Sequence, residues 1–543
     1  MSLEESPSVA DQKISDATPV EHSKFDIRIL FFLSIFAGLI VIMFLLKDFR
    51  PLFDGAVYLS CITRAVSQSF NILNFRCVDH TSIAYLLLLS IAQYLVPHST
   101  LFVFVINVLL ATCTSVALCG ILRIVTRAEP LETCLTTAIF VFSPVYVAHI
   151  FEVTLDFGLV SFFTIYIFLL LKRSYIFASL FAIAMSFTKE TGIALYLGCT
   201  IIYFLIIILM NDLRWNEKIA AMKRARILIF PGLVLLIYYF LLARIVPSDK
   251  LFWQAGKMNL PHLALNFNIT CNSMLAYFAN LFILNFSWIF TIFLLLSLFF
   301  AFLRTSPRIS MFKQTNVSFI IWIFIFSIYL VTRINFSYSN VARYVLVAYV
   351  LLVILFHHAQ HSIIKRAKWR VLLLYSALSL ILVSNFRTID PLSKQVFGTF
   401  SFGKHQILSM NRFIGINIDA SVYNLEFTYF YYLVNLMVND MNLEHGSVVF
   451  TGERQGIWWP VTHMNNGATS RYSIKLIDNI EDMNPESLSK KYSNPQNFFY
   501  IEFPNLNNTN NLKYLLNNYK LIGKKQYDIS GYQLKGYIFQ MRS

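Results

Sequence analysis

Residues 27–46 read IRILFFLSIFAGLIVIMFLL, and they run directly into Lys47-Asp48-Phe49-Arg50-Pro51-Leu52-Phe53-Asp54-Gly55-Ala56-Val57-Tyr58. The first part is about twenty predominantly apolar residues, enough to span a bilayer at about 1.5 Å per residue. Two carboxylates and an arginine then stand where that helix would emerge into water. A carboxylate at a membrane mouth is either a surface charge or part of a site, and the rest of the chain bears on which.

Of the 543 residues, 57% are hydrophobic and only 13% charged, against about 25% charged in soluble globular domains. Repeated apolar runs separated by short charged breaks indicate a polytopic helical membrane protein. The formal charge of +15 is explained by topology, because the basic residues cluster in short loops; nucleic acid is not expected as a partner. The first apolar run is too long for a cleavable signal and lacks a small-residue cleavage pattern, so it reads as a retained anchor. The seven cysteines are scattered without a CxxC pair. They read as small buried hydrophobes and not as a disulfide frame or zinc site.

The fold class expected is an all-α polytopic domain of about eleven transmembrane helices, followed by a soluble α/β domain. The spans read as 27–46, 101–122, 133–149, 157–171, 175–187, 191–210, 227–246, 275–303, 317–333, 341–358 and 371–386. Lys and Arg fall in alternate loops: Arg123 and Arg127, Lys172 and Arg173, Lys218 to Arg226, Arg304 to Lys313, and Lys365 to Arg370. All are cytoplasmic together if the N-terminus is inside and the count is odd. Residues 1–26 then form a cytoplasmic tail, 27–386 the membrane domain, and 387–543 the outer α/β domain. The run 83–96 is apolar but short for a span, so 55–73 and 82–96 are expected as helices at the outer interface, within a first outer loop of 47–100. In the last domain Val448–Thr451, Phe498–Phe503 and Tyr532–Met541 read as strands and Leu512–Asn518 as a helix.

Charges near or within spans are costly and invite a functional hypothesis. On the outer face they are Asp48, Asp54, Glu152, Asp156, Lys189, Glu190, Arg333 and Arg343, with His80 and His149 nearby. Asp54 and Asp156 each precede a helix, where the plainer reading is an N-cap. Lys189-Glu190 follows an apolar run of only about 13 residues, roughly 20 Å against a hydrocarbon core of about 30 Å. That break is therefore expected recessed below the outer surface, in a cavity; the plainer reading is an internal Lys–Glu pair or a snorkelling lysine. A carboxylate can take a proton from an acceptor hydroxyl or amine, and fixed cations can stabilise charge on a departing phosphate.

The order of these features resembles the GT-C glycosyltransferases, in particular the branch of the protein O-mannosyltransferases and the lipid A aminoarabinose transferase. Asp54-Gly55-Ala56-Val57-Tyr58 matches that branch's D-x-x-x-Y element, Leu155-Asp156 its second acid, and Ser186-Phe187-Thr188-Lys189-Glu190 its Thr-Lys break. Asn340-Val341-Ala342-Arg343-Tyr344 matches a late basic-aromatic element. The resemblance covers roughly residues 27–360. It implies Asp54 as general base, Asp156 as a second catalytic group, and substrate contacts from Tyr58, His80, Glu152, Lys189, Glu190, Arg343 and Tyr344. The sequence departs from the family at Gly55 and Ala56, where a second acid is common, which argues against a DxD-type metal site; a divalent metal stays open without a ligand set.

The resemblance thus implies transfer of a sugar from a polyprenyl-phosphate donor to a lipid, glycan or protein acceptor, by a single inverting displacement on the non-cytoplasmic face. The bacterial cytoplasmic membrane, with the site facing the periplasm, is the expected location, and the endoplasmic reticulum the second. Rival readings are a polysaccharide polymerase or ligase using a polyprenyl-diphosphate glycan, a transporter, and a non-catalytic scaffold.

Overall fold

Backbone N–H and C=O groups in apolar surroundings can only pair with one another, which drives each long apolar run into a helix. The computed structural model describes residues 27–45, 53–67, 83–97, 99–151, 153–209, 214–245, 281–282, 287–303, 325, 345–386, 399–402, 405–408, 447–452, 472–477, 497–502, 509–529 and 532–541. The helices up to residue 245 are α1 (Ile27–Leu45), α2 (Phe53–Ser67), α3 (Ile83–Leu95), α4 (Thr100–Thr126), α5 (Pro130–Val141), α6 (Pro144–Phe151), α7 (Leu155–Leu171), α8 (Tyr175–Ser186), α9 (Glu190–Leu209), α10 (Trp215–Ala225) and, after a 3-10 turn (Arg226–Ile229), α11 (Phe230–Ile245). Then come α12 (Ser287–Leu303), α13 (Leu346–Ile363) and α14 (Ala367–Phe386).

Most of the expected apolar segments therefore fold as helices with bounds close to those read from the sequence, and both short segments of the first loop are helical as α2 and α3. One expected span is broken: 133–149 forms α5 and α6, which meet at a bend of 63°. Pro144 explains the break, since its ring cannot continue a helix but suits a first helical position. The expected span 317–333 lies outside the described residues save Ile325.

Large apolar side chains turn outward along several helices. On α11, Leu233, Leu236, Ile237, Phe240 and Leu241 are all exposed. Their spacing is that of a continuous helix face, which in a water-soluble protein would be turned to the core. On α9, Leu197, Ile201 and Leu205 are likewise exposed. A face of this kind is covered by lipid, so the chain is a membrane protein. Among the described residues, α4 and α9 are long and apolar enough to cross a membrane, as is the bent α5–α6 pair taken as one span, while other apolar helices are shorter.

Polar residues tie the helices internally. Tyr85 of α3 donates to Asn107 Oδ1 of α4 at 2.9 Å, and Asn107 Nδ2 donates to the Ile150 carbonyl of α6 at 2.6 Å. Toward the other end of the bundle, Arg370 of α14 grips Glu132 of α5 with two hydrogen bonds of 2.9 and 2.8 Å. Arg370 is thus buried inside the helical domain rather than being an ordinary loop charge. His357 of α13 bridges Thr136 at 2.9 Å and Thr126 at 3.1 Å.

One sequence expectation is corrected. Cys61 of α2 is disulfide-bonded, whereas Cys113, Cys119, Cys134 and Cys199 are free thiols. The pairing escaped notice because disulfide partners need spatial and not sequential proximity, and no CxxC spacing advertises it.

The C-terminal part contains a two-stranded antiparallel sheet of β1 (Thr399–Phe402) and β2 (His405–Leu408). A second, mixed sheet has the order β4-β3-β5-β7-β6, formed by β3 (Ser447–Gly452), β4 (Tyr472–Ile477), β5 (Asn497–Glu502), β6 (Tyr519–Ile529) and β7 (Tyr532–Met541). Strand β3 pairs in parallel with β4 and β5, while β7 runs antiparallel to β5 and β6. Alternation decides the faces. Phe498 and Tyr500 pack with Tyr537, Phe539 and Leu515 of helix α15 (Thr509–Asn518). Phe499, pointing the other way, joins the apolar cluster of the helical domain. The sequence reading found β3, β5, β7 and α15; β4 and β6 escaped it because Lys475, Lys524 and Lys525 dilute their apolar pattern.

Candidate active site

Helix α8 has only 12 residues, about 18 Å at 1.5 Å per residue, so its end stops short of a bilayer's full thickness. It terminates at Phe187, whose carbonyl accepts the backbone N–H of Ala84 at 3.1 Å and so receives the first turn of α3. Thr188 Oγ1 donates back to the Ala184 carbonyl at 2.7 Å. Lys189 is the hinge residue before α9 restarts at Glu190. Gly192 allows this close return: a Cβ there would collide with the Met185 carbonyl oxygen.

The facing wall is the α6–α7 junction. Val153 has φ 54, a left-handed backbone that a β-branched residue adopts only under constraint from its surroundings. The turn is held on both sides, by Asn107 bonding Ile150 and by a 3.1 Å hydrogen bond between Thr154 Oγ1 and His149 Nδ1. It delivers Asp156 into the first turn of α7. Gly158, two residues on, lets Tyr85 lie against α7; a Cβ at Gly158 would approach that ring at 2.6 Å.

These two walls bring Asp156 and Lys189 together. Lys189 Nζ donates to Asp156 Oδ1 at 2.8 Å and to Oδ2 at 2.9 Å. The side chains are 7% and 5% exposed. Neither charge would be tolerable alone at this depth, and each sets the other's position. Asp156 is not the cap of α7, since Thr154 occupies that position. Asp156, 33 residues upstream, is a carboxylate partner of the lysine, a pairing that the sequence did not advertise.

Asp54 is the second residue of α2, within the helix rather than before it, and Tyr58, one turn on, is buried. Glu190 opens α9 and is half-buried. Asp48, His80, Glu152, Arg333, Arg343 and Tyr344 lie outside the described residues. Among the described residues no cluster of three or more His, Cys, Asp or Glu could hold a metal ion. Sequence reasoning missed the residues that build the site's frame, Asn107, Thr154 and the strained Val153. Asn107 within an apolar 27-residue helix was the one visible signal, since a lone amide in such a run must find partners.

No family model matches the sequence, and no curated protein matches it. Among solved structures it is similar to ArnT from Cupriavidus metallidurans, in the apo state and bound to undecaprenyl phosphate. Each comparison gives a TM-score of 0.50 at 11% sequence identity, covering 93% of this chain and 97% of the other. The chain shares the overall fold of ArnT. At this identity the likeness concerns the path of the backbone. It was anticipated by the order of the Asp54, Asp156 and Lys189 elements along the sequence.

Proposed function

We propose that the protein is a membrane glycosyltransferase that moves a sugar from a polyprenyl-phosphate donor to an acceptor on the outer face of the bacterial cytoplasmic membrane. The observation that carries this reading is the buried Asp156–Lys189 pair, set at the α8–α9 break of a chain folded like a protein solved with undecaprenyl phosphate bound. The disulfide at Cys61 supports the sidedness, because a disulfide on the helix that carries Asp54 fits an oxidising compartment such as the periplasm.

In this reading the acceptor O–H or N–H attacks the anomeric carbon while Asp54 takes its proton. The bond from that carbon to the phosphate oxygen breaks, the oxygen leaves with the electron pair, and the sugar inverts in one displacement. The departing polyprenyl phosphate gains negative charge, which Lys189 and Arg343 stabilise. Asp156 holds the Lys189 ammonium in place beforehand, so no reorganisation is needed when charge develops. Tyr58, His80, Glu152, Glu190 and Tyr344 are the further candidate substrate contacts.

The test is transfer from a panel of radiolabelled polyprenyl-phosphate sugars in proteoliposomes, comparing wild type with Asp54→Asn. Transfer by the wild type and a loss of at least about a hundredfold in the variant are expected, the lower scale for a general base. Equal transfer by both removes Asp54 from the role, and no transfer or donor binding by a folded wild type removes the enzyme reading.

A further inference from the structure

The end of the helical domain remote from the Asp156–Lys189 pair has a chemistry that the transfer reaction does not use. Helix α10 is joined there to the end of α9, because Lys218 Nζ donates to the Ile208 carbonyl at 2.7 Å. The following 3-10 turn is joined to α8, because Ser179 Oγ donates to the Ile227 carbonyl at 2.9 Å. The helix is therefore pinned in place. Its one acid, Glu217, is engaged at its own N-terminus, accepting from the Arg214 backbone N–H at 2.9 Å. What it shows to the outside is Lys223 and Arg224, with Arg226 just beyond, all exposed.

Two further features fix the level of this surface. Trp215, at the start of α10, is 63% exposed, and Trp369, at the start of α14, is 52% exposed beneath the Lys368 ammonium at 5.8 Å. Exposed indoles of this kind sit at the headgroup level of a bilayer. At the end of the 3-10 turn and in the first turn of α11, Ile229, Phe230 and Leu233 are exposed apolar residues that belong in hydrocarbon. The basic side chains thus stand between an aromatic level and water, where lipid phosphates lie. A nucleic-acid partner would leave the apolar residues beside them unexplained.

We propose that α10 and the adjoining 3-10 turn form a docking surface for acidic phospholipid headgroups. Each Lys or Arg near an anionic bilayer surface adds about a fivefold preference, so Lys223, Arg224 and Arg226 together give roughly a hundredfold. The inference does not depend on the transfer chemistry.

The test uses the full chain in nanodiscs of mixed phosphatidylglycerol and phosphatidylcholine, with retained lipid counted by native mass spectrometry. The comparison is with the triple variant Lys223→Gln, Arg224→Gln, Arg226→Gln, whose exposed positions leave the packed interior untouched. Enrichment of phosphatidylglycerol by the wild type, weakened on the order of a hundredfold in the variant and screened by salt, is expected. Competition by inorganic phosphate at equal concentration would instead show a free-anion site. Equal retention of the two lipids by the wild type, or unchanged enrichment in the variant, would overturn the proposal.

Discussion

Replacing Lys189 by Met removes one charge from a pair whose side chains are 7% and 5% exposed and whose two hydrogen bonds measure 2.8 and 2.9 Å. Met fills much the same volume, so packing is nearly kept and the cost is electrostatic. A buried carboxylate deprived of its partner costs about 3–5 kcal/mol, and Asp156→Asn strands the lysine at a similar cost. At the roughly 2 °C per kcal/mol of larger domains, each single variant should melt about 6–10 °C below wild type. The double variant Asp156→Asn/Lys189→Met removes both charges of the pair. It should therefore recover part of the loss, with a coupling in the upper part of the roughly 0.5–3 kcal/mol seen for contacting residues. Thermal unfolding in detergent, followed by intrinsic tryptophan fluorescence, reads all four proteins. Additive losses, or single variants that melt with wild type, would show that the two charges are solvated separately and refute the buried pair. A double variant that is stable yet transfers no sugar would separate the pair's catalytic use from its structural one.

Three further outcomes follow from the same geometry. Gly192→Ala should cost about 3 kcal/mol, the upper end for overpacking, because the obstacle is the Met185 backbone oxygen; Gly232→Ala, whose Cβ meets only Tyr196 Oη at 3.4 Å, should melt with wild type. Arg370→Met should lower the yield of folded protein in size-exclusion chromatography by stranding Glu132, which is fully buried, and adding Glu132→Gln should restore much of it. Cys61→Ser should lose about 2–4 kcal/mol, and the melting temperature of that variant should no longer respond to reductant, whereas the wild-type value should fall.

The helical segments were legible because lipid imposes one simple rule, apolar side chains over a self-satisfied backbone, and a run such as Phe230–Ile245 obeys it with few exceptions. The break between α8 and α9 was legible for the same reason, as Tyr175–Ser186 is too short and Lys189 too polar to pass for continuous span. Partners were not legible. Nothing local joins Asp156 to Lys189 across 33 positions, or Glu132 to Arg370 across 238. Arg370 was counted among loop charges because the basic-loop rule and a buried ion pair look alike in one dimension. The C-terminal sheet was half legible: β5 and β7 carry the aromatic alternation of Phe498, Tyr500, Tyr537 and Phe539, whereas the lysines of β4 and β6 mask theirs.

The placement of the two buried ion pairs follows a common physical logic. Each joins a residue early in the helical domain to one later, Asp156 to Lys189 and Glu132 to Arg370. In a lipid medium the apolar faces of helices gain little from meeting each other rather than lipid, so contact specificity must come from packing and polar pairs. An isolated carboxylate on α5 or α7 is costly until the helix bearing its cation is in place, which makes the paired arrangement the one low-energy assembly. The Arg370–Glu132 pair is locked further, because Arg370 Nη1 also donates to the Ile364 and Lys365 carbonyls at 2.7 and 3.1 Å. Asp156–Lys189 instead lies beside a left-handed Val153 and a helix break, where the neighbouring backbone is irregular. In the function proposed above, the same chemistry is a fastener at one end of the bundle and a receptive charge at the other, and the backbone around each pair separates the two roles.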